Sequence, residues 1–256
     1  MGVPESLFQS AARRLRVATW NLQSCRRGLT RVAQLLRGLE VDAVALQEVD
    51  RRSTRSGGVD QAAALASAAG FAHHRFFGAV DWDGGDYGLA LLSRWPLGSV
   101  RTGLLPNEPG LEPRIHGSAV LELPGAPVFL HVTHLTNTRA RLRLQQAGTI
   151  AHRLSRSDLP QVLLGDFNAF PDSAPHHLLC RLLVDAFRAA GEGPGGTYPL
   201  PLFLPTVRID YVFVAREVSV TSARVVHTDA SDHHALVADL RVPEDVSPTL
   251  VSQRAG

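Results

Sequence analysis

The chain has 256 residues, of which 45% are hydrophobic and 20% charged, with a formal net charge of +2 and a mean hydropathy of zero. This composition predicts a folded globular protein and excludes a disordered or collagen-like chain, and no apolar run approaches the ~20 residues that cross a bilayer. All 26 basic residues are arginine, which excludes sites that need a lysine, such as a P-loop or a Schiff base.

Short apolar runs alternate with helix-type segments along most of the chain. Six runs have the length and composition of buried strands, at residues 17–20, 43–46, 89–92, 128–132, 162–164 and 211–214. Four segments predict helices, at residues 29–39, 60–69, 138–154 and 173–190. Asp60 and Ser173 are expected to be N-caps, and Gly70 and Gly191 stand where a helix commonly ends in a left-handed glycine.

The last part of the chain predicts a strand pair, at residues 209–214 and 218–226, joined by a tight turn. The alternation as a whole predicts an α/β (α+β) fold with mixed sheets covered by helices. Because no Pro/Gly/Ser-rich linker divides the chain, we expect one domain at 16–242 between tails at 1–15 and 243–256. The N-terminal residues lack the apolar stretch and cleavage site of a signal peptide, so we expect a cytoplasmic location.

Polar side chains of related chemistry stand at the ends of the predicted strands. They are Asn21, Glu48, His134, Asp166, Asn168, Asp210, Asp232 and His233. Each alone has an ordinary structural explanation, as a turn former, a cap or a buried histidine. Since strand ends converge on the edge of a sheet where ligands bind, the whole set predicts one functional site.

The chemistry of this set indicates a hard divalent cation and a phosphoryl group. Carboxylate and amide oxygens suit Mg²⁺, which takes one or two protein carboxylates and completes its shell with water or phosphate. The histidines and remaining acids are available for proton transfer and for developing negative charge. Adjacent histidines such as His73-His74 point to opposite faces of a strand, which argues against zinc.

Seven short motifs carry a resemblance to a known family. They are Trp20-Asn21, Leu46-Gln47-Glu48, Leu92-Ser93-Arg94, Thr133-His134-Leu135, Gly165-Asp166-Phe167-Asn168, Arg208-Ile209-Asp210-Tyr211 and Ser231-Asp232-His233. In order and spacing they resemble the endonuclease/exonuclease/phosphatase superfamily. The resemblance implies a deoxyribonuclease I-like fold, a four-layered sandwich of two mixed β-sheets flanked by helices. Further segments, at 47–50, 55–61 and 112–114, are similar to a bacterial branch that resembles the hydrolase domain implicated in remodelling GPI-anchor lipid.

The resemblance implies a metal site at three of these positions. Glu48 resembles the principal Mg²⁺ ligand of the family, with Asn21 beside it and Asp232 contributing to the metal region. Mn²⁺ is a possible substitute for Mg²⁺.

The resemblance also implies roles for five catalytic residues. Asp166 resembles the residue that orients and deprotonates the attacking water, and Asn168 the one that holds water and a phosphate oxygen. His233 resembles the histidine that binds the scissile phosphate, and Asp210 the acid that fixes its ring. His134 resembles a second histidine that assists the leaving group.

Three positions around this set leave questions open. Leu89 stands where the bacterial branch usually has an asparagine, so a polar contact is lost there. The family often pairs the histidine at His134 with an acid, for which Asp86 is our candidate. Asp81 and Asp83 lie close by as alternatives, and a turn-forming role for this Asp/Gly cluster is equally open. Arg114, in one of the similar segments, is a candidate phosphate-binding residue.

The activity implied is hydrolysis of a phosphoester, and more specifically a phosphodiester, by metal-assisted in-line attack of water. A nucleic acid or small phosphodiester is the favoured substrate. The alternatives are a phospholipid or glycolipid headgroup, which the apolar segment 198–205 would suit, and a catalytically silent binding domain. No protein partner is predicted.

Overall fold

A computed structural model of the chain describes residues 12–200 and 206–244. Within these ranges the chain forms five α-helices, which are α1 (Leu29–Gly38), α2 (Gln61–Ala69), α3 (Ala140–Leu154), α4 (Ala174–Cys180) and α5 (Ala186–Ala190). None of the helices in the described ranges is long and apolar enough to span a membrane.

Two β-sheets form the centre of the molecule. Their strands are β1 (Ala12–Asn21), β2 (Ala43–Arg51), β3 (His73–Trp82), β4 (Gly85–Ser93), β5 (Leu97–Leu104), β6 (Ile115–Leu121), β7 (Val128–His134), β8 (Gln161–Asp166), β9 (Leu183–Asp185), β10 (Gly191–Glu192), β11 (Asp210–Ala215), β12 (Ser219–Val226) and β13 (Ala235–Pro243). One sheet has the order β10-β12-β13-β1-β2-β4-β3 and the other the order β5-β6-β7-β8-β11-β9. Both are mixed, because β1–β2 and β7–β8 pair in parallel while the neighbouring pairs are antiparallel.

The two faces of the first sheet pack against different layers. Val17 belongs to a core cluster that also contains residues of the second sheet, whereas Ala18 and Trp20 belong to a cluster with α1 and α2. This alternation is what strand geometry requires of a sheet that is buried on both faces. On the far side, Ile150 of α3 joins the cluster of the second sheet. The predicted four-layered sandwich is therefore confirmed.

The six predicted strands all lie within observed strands. Strands β3, β5 and β6 and the short strands β9 and β10 were not predicted. Strands β3 and β5 contain many half-buried or exposed residues, so they lack the continuous apolar run of a central strand. Strand β6 is buried throughout, but its polar His116 and Ser118 interrupt the apolar run.

Two predicted elements are wrong. The helix at 173–190 is divided into α4, β9 and α5, and Gly191 has a φ of −71° and does not end a helix in the left-handed region. The strands of the predicted pair at 209–226 lie in different sheets, β11 in one and β12 in the other. The turn between them crosses from one sheet to the other, because β11 pairs with β8 and β12 with β13.

Other local predictions agree with the structure. The Asp60 carboxylate accepts a hydrogen bond from the Ala63 amide and caps α2, and Gly70 ends that helix with a φ of 84°.

Strand β1 begins at Ala12, before the predicted domain start at residue 16, and pairs there with Pro243.

Strand direction explains how polar ends from distant parts of the chain meet. The parallel pairs β1–β2 and β7–β8 have their carboxyl ends at the same edge. Strand β11 is antiparallel to β8, so its first residue, Asp210, lies opposite the last residue of β8, Asp166. Strand β13 is antiparallel to β1, so the residues that precede it return to the end of β1.

We predict that Gly165→Ala lowers the free energy of unfolding by about 1–3 kcal/mol, the usual cost of an overpacked core. A Cβ at Gly165 would lie 2.1 Å from the carbonyl oxygen of Thr133 in the neighbouring strand. Gly148→Ala in α3 is the matched control, since its Cβ would be 3.8 Å from Leu178. The control should be neutral or stabilising by about 0.5–1 kcal/mol, and urea unfolding of both variants measures the difference. Equal stabilities of the two variants would contradict the prediction.

Candidate active site

The polar strand ends line one cavity of about 540 Å³ at the edge where the two sheets meet. Of the residues predicted for the site, Glu48, Arg114, His134, Asp166, Asn168, Asp232 and His233 line this catalytic cavity. Asn21 and Asp210 reach it through hydrogen bonds to lining residues. The structure therefore brings together all nine residues, from both sheets.

Asp166 is buried at the centre of the group. Its Oδ2 accepts a hydrogen bond from Asn21 Nδ2 at 3.1 Å, and its Oδ1 accepts one from the Asn168 amide at 2.9 Å. Oδ2 also lies 3.3 Å from His134 Nε2 and 3.7 Å from His233 Nε2. Burial, followed by the charge of Asp210, raises the pKa of Asp166 to about 7. A carboxylate with this pKa can accept a proton near neutral pH.

His233 and Asp210 form a buried pair. The imidazole Nδ1 is 2.9 Å from Asp210 Oδ2. Burial disfavours the imidazolium, but the charge and hydrogen bond of Asp210 and the charge of Asp166 outweigh it and raise the pKa of His233 to about 10. The ring is therefore a cation at neutral pH, and its Nε2–H is directed toward Asp166 and the cavity. The Trp20 indole holds the backbone of this residue by donating to the His233 carbonyl at 3.0 Å.

His134 lies at the end of β7 and is neutral. Burial, together with the charges of Arg114 and His233, lowers its pKa well below the usual value. Its Nε2 contacts Asp166, whereas the candidate partner Asp86 forms a salt bridge with Arg51 at 2.6 Å. The predicted pairing with Asp86 is therefore wrong, because strand pairing places Asp86 opposite Arg51 of β2.

Asn168 reaches the cavity by a tight turn after β8. Its φ of 48° is left-handed, a conformation that asparagine adopts more readily than most residues. Its side chain donates a hydrogen bond to the Leu135 carbonyl at 2.9 Å. The residue between the two polar groups, Phe167, packs edge-on against Tyr211 in the core. The chain thus directs Asp166 and Asn168 to the cavity and the aromatic ring away from it.

A bulge in β2 directs Glu48 to the cavity. The register of β2 with β4 shifts between Leu46 and Val49, and Glu48 has a left-handed φ of 54°. Its carboxylate accepts a hydrogen bond from Asn21 Nδ2 at 3.0 Å. Across the cavity, Asp232 accepts a hydrogen bond from the Gln23 side chain at 2.9 Å. These carboxylates offer the oxygen ligands that a hard divalent cation requires.

A second set of ligand atoms lies deeper. Asp166, Asp210 and His233 present ligand atoms within 4.8 Å of one another. Within this set, Asp210 Oδ2 and His233 Nδ1 lie 2.9 Å apart in a hydrogen bond.

Arg114 and Leu89 border His134 from the same side. Arg114 is buried and forms a salt bridge with Glu112 at 2.9 Å, and its guanidinium lines the cavity. Leu89 packs in the core, and its side chain borders a small void that Arg114 and His134 also line. No polar group from position 89 is available to His134, which contacts Asp166 instead.

Several lining residues were not predicted as site residues. They are Arg26, Arg55, Trp82, Tyr87, Glu112, Asn137, Tyr198 and Ile209. Arg55 is held by Asp50 at 2.7 Å and lies near the Trp82 and Tyr87 rings, and the Tyr198 ring packs on His233 with centroids 4.7 Å apart. Arg55 lies in the similar segment 55–61 and Tyr198 in the apolar segment 198–205, both of which were identified from the sequence. No sequence pattern predicted that aromatic rings from distant parts of the chain would meet in the cavity. The segment 198–205 lies only partly within the described residues.

The sequence model of the endonuclease/exonuclease/phosphatase family matches residues 18–233. The chain belongs to this family. Its members are metal-dependent phosphoesterases, and the buried acids and histidine at the strand ends of this chain agree with that assignment. A search of the curated proteins found no match.

Several solved structures share the fold of this chain, and the first one described here also supports the family assignment. An endonuclease/exonuclease/phosphatase from Beutenbergia cavernae is 31% identical, with a TM-score of 0.77 over 90% of this chain and 72% of that one. A mannosyl-6-phosphatase from Bacteroides thetaiotaomicron is 19% identical, with a TM-score of 0.72 over 88% of this chain and 99% of its own. The human Nocturnin catalytic domain is 21% identical, with a TM-score of 0.69 over 91% of this chain and 97% of its own. The latter two share the fold.

We predict that Asp210→Asn moves the basic limb of the pH–rate profile to lower pH and reduces the rate at pH 8 by about 10²-fold or more. The substitution removes the charge that contributes most to the raised pKa of His233, so the imidazolium loses its proton at lower pH. An NMR titration of the imidazole measures the same shift.

Asp185→Asn is the matched control, because Asp185 forms a second buried pair with His176 at 3.0 Å. This variant should lose stability and keep the basic limb in place. A basic limb of Asp210→Asn at the wild-type position would contradict the pairing.

Proposed function

We propose that the chain hydrolyses phosphodiesters with Mg²⁺ by in-line attack of water. The observation that carries this proposal is a buried carboxylate, Asp166, with a pKa of about 7, surrounded by the His233 imidazolium, the Asn21 amide and the Glu48 carboxylate. A general base, a charged donor and an oxygen-ligand site thus share one cavity.

Asp166 is the proposed general base. Asn21 and the Asn168 amide hold its two oxygens in place beside the cavity, where the carboxylate can accept a proton from water. The water oxygen forms a bond to phosphorus as its proton passes to Asp166, and the bond from phosphorus to the leaving oxygen breaks. The leaving oxygen then takes a proton from solvent.

His233 and Asn168 are the proposed phosphate contacts. The His233 Nε2–H faces the cavity and carries a positive charge, which stabilises negative charge on the phosphoryl oxygens. Arg114 also lines the cavity and adds a further positive charge. His134 contacts the base and is neutral, so we assign it to orienting Asp166.

The residues present fit a divalent cation. Glu48 would hold it, with Asp232 contributing and with Asn21 orienting the Glu48 carboxylate through its Nδ2, and these carboxylate oxygens favour Mg²⁺ with Mn²⁺ as a substitute. When bound, the cation supplies Lewis-acid polarisation of a phosphoryl oxygen.

A small phosphodiester or nucleic acid is the first substrate candidate, since its phosphates can pair with three arginines that line the cavity. They are Arg26, Arg55 and Arg114. A phospholipid or glycolipid headgroup, as in the GPI-remodelling branch, is the second candidate, and an apolar groove beside the cavity favours it. A hydrolysis panel over plasmid DNA, RNA, bis-(p-nitrophenyl) phosphate, sphingomyelin and phosphoinositides distinguishes the two.

We predict that chelation with EDTA abolishes hydrolysis of bis-(p-nitrophenyl) phosphate reversibly. Glu48→Gln should raise the Mg²⁺ concentration for half-maximal rate by about 10-fold or more, since even substitutions around a metal ligand cost this much. Glu112→Gln is the control, because that carboxylate also lines the cavity but is paired with Arg114. The control should keep the wild-type Mg²⁺ dependence. Full activity after exhaustive chelation would contradict the metal assignment.

We predict that Asp166→Asn lowers kcat by about 10²–10⁴-fold, the usual contribution of general-base catalysis, with a much smaller change in KM. Asn168→Ala should also lower kcat. The double variant should lose less than the product of the two single effects, because both residues act on one water and one phosphate. Strictly multiplicative losses in single-turnover kinetics would refute the shared role.

A further inference from the structure

An apolar groove of about 630 Å³ opens directly beside the catalytic cavity. The two spaces share four lining residues, which are Asn137, Asn168, Tyr198 and Ile209. Asn168 and Tyr198 contact the proposed base and phosphate-binding histidine, respectively. A substituent on a phosphoryl group bound at His233 can therefore extend into the groove without leaving the protein surface.

The floor and walls of the groove are mainly hydrocarbon. One wall is the first part of α3, with Ala140 and Leu144, and the other is the turn and helix after Asn168, with Phe170 and Ala174. Phe170 is 56% exposed and Leu144 is 37% exposed. Neighbouring exposed apolar side chains in a concave surface are typical of a binding site.

Three polar side chains of the groove are already engaged within the protein. The Ser173 hydroxyl donates to the Phe170 carbonyl, Asn168 Nδ2 donates to the Leu135 carbonyl, and Arg143 donates to the Thr136 carbonyl. Of the other polar side chains, Asn137 and Tyr198 lie where the groove meets the catalytic cavity, and Arg141 is exposed. A nucleobase in the rest of the groove would leave the donors and acceptors of its edge without partners, which is costly. An aliphatic chain has no such requirement.

We propose that this groove binds an aliphatic substituent of the substrate, so that the substrate class is a phosphodiester with an alkyl or acyl-bearing ester group. The inference rests on the proposed function and decides between its two substrate candidates in favour of the lipid-like one. Binding would derive from removing the aliphatic substituent and the Phe170 and Leu144 side chains from water.

The test is a binding series with alkylphosphonates, whose P–C bond is not hydrolysed. Methyl-, butyl- and hexylphosphonate are titrated into the wild-type protein in MgCl₂ by calorimetry. A fully buried methylene improves affinity by at most ~4-fold, so we expect about 2- to 3-fold per methylene from methyl to hexyl.

Variants locate the effect. Phe170→Gln and Leu144→Gln should each reduce the ratio of the methyl to the hexyl dissociation constant by about 3-fold or more. Leu104→Gln is the matched control, because Leu104 is 68% exposed on β5 and does not line the groove. The control should keep the wild-type ratio.

The outcomes separate this inference from the proposed function. Equal affinities across the series, or failure of every phosphonate to bind, would overturn the groove assignment even if bis-(p-nitrophenyl) phosphate is hydrolysed. A chain-length effect that is unchanged in both groove variants would overturn it as well. A nucleoside 5′-monophosphate that binds more tightly than hexylphosphonate and depends on Phe170 would assign the groove to a stacked base. Absence of hydrolysis with a clear chain-length effect would reject only the hydrolase mechanism.

Discussion

The burial of two carboxylates opposite each other is the constraint on which the site depends. The register of β8 with β11 places Asp166 beside Asp210 in the core, where two negative charges repel and neither is well solvated. His233 resolves this conflict by lying within hydrogen-bond distance of Asp210 and close to Asp166. The imidazolium is thus a structural counter-ion as well as the proposed hydrogen-bond donor to a bound phosphate. The same electrostatics leaves Asp166 with a raised pKa, which is the property a general base needs.

The features that could be predicted from the sequence are those that depend mainly on residues close together in the chain. The buried central strands are continuous apolar runs, and the polar residues that follow them stand out by contrast, so the edge of the sheets and its chemistry could be recognised. Capping of α2 by Asp60 and its end at Gly70 also depend only on nearby residues. Pairing between strands depends on contacts across the whole chain. For this reason the strands β11 and β12, adjacent in sequence, were wrongly expected to pair.

The finer geometry of the site depends on backbone features with weak sequence signals. The bulge that directs Glu48 and the left-handed Asn168 involve residues that commonly occupy other conformations. Asp86 was wrongly expected to be the partner of His134. The parallel pairing of β7 and β8 places His134 beside Asp166 instead, and this pairing could not be predicted from the sequence. Trp82 and Tyr198 join the cavity from opposite parts of the chain. The resemblance to the family implied the roles of the site residues, whereas their contacts became evident only from the three-dimensional fold.

The pairing of β1 with β13 has a consequence for biosynthesis. Eight residue pairs, from Ala12 with Pro243 to Thr19 with Leu236, join the first described strand to the last one in the middle of a sheet. A ribosome releases β1 long before β13, so the first strand must wait with an unpaired edge while the intervening segments are translated. Such long-range closure is slow and exposes an aggregation-prone edge in the meantime. The nascent chain therefore cannot complete its catalytic site until the last strand is free of the exit tunnel.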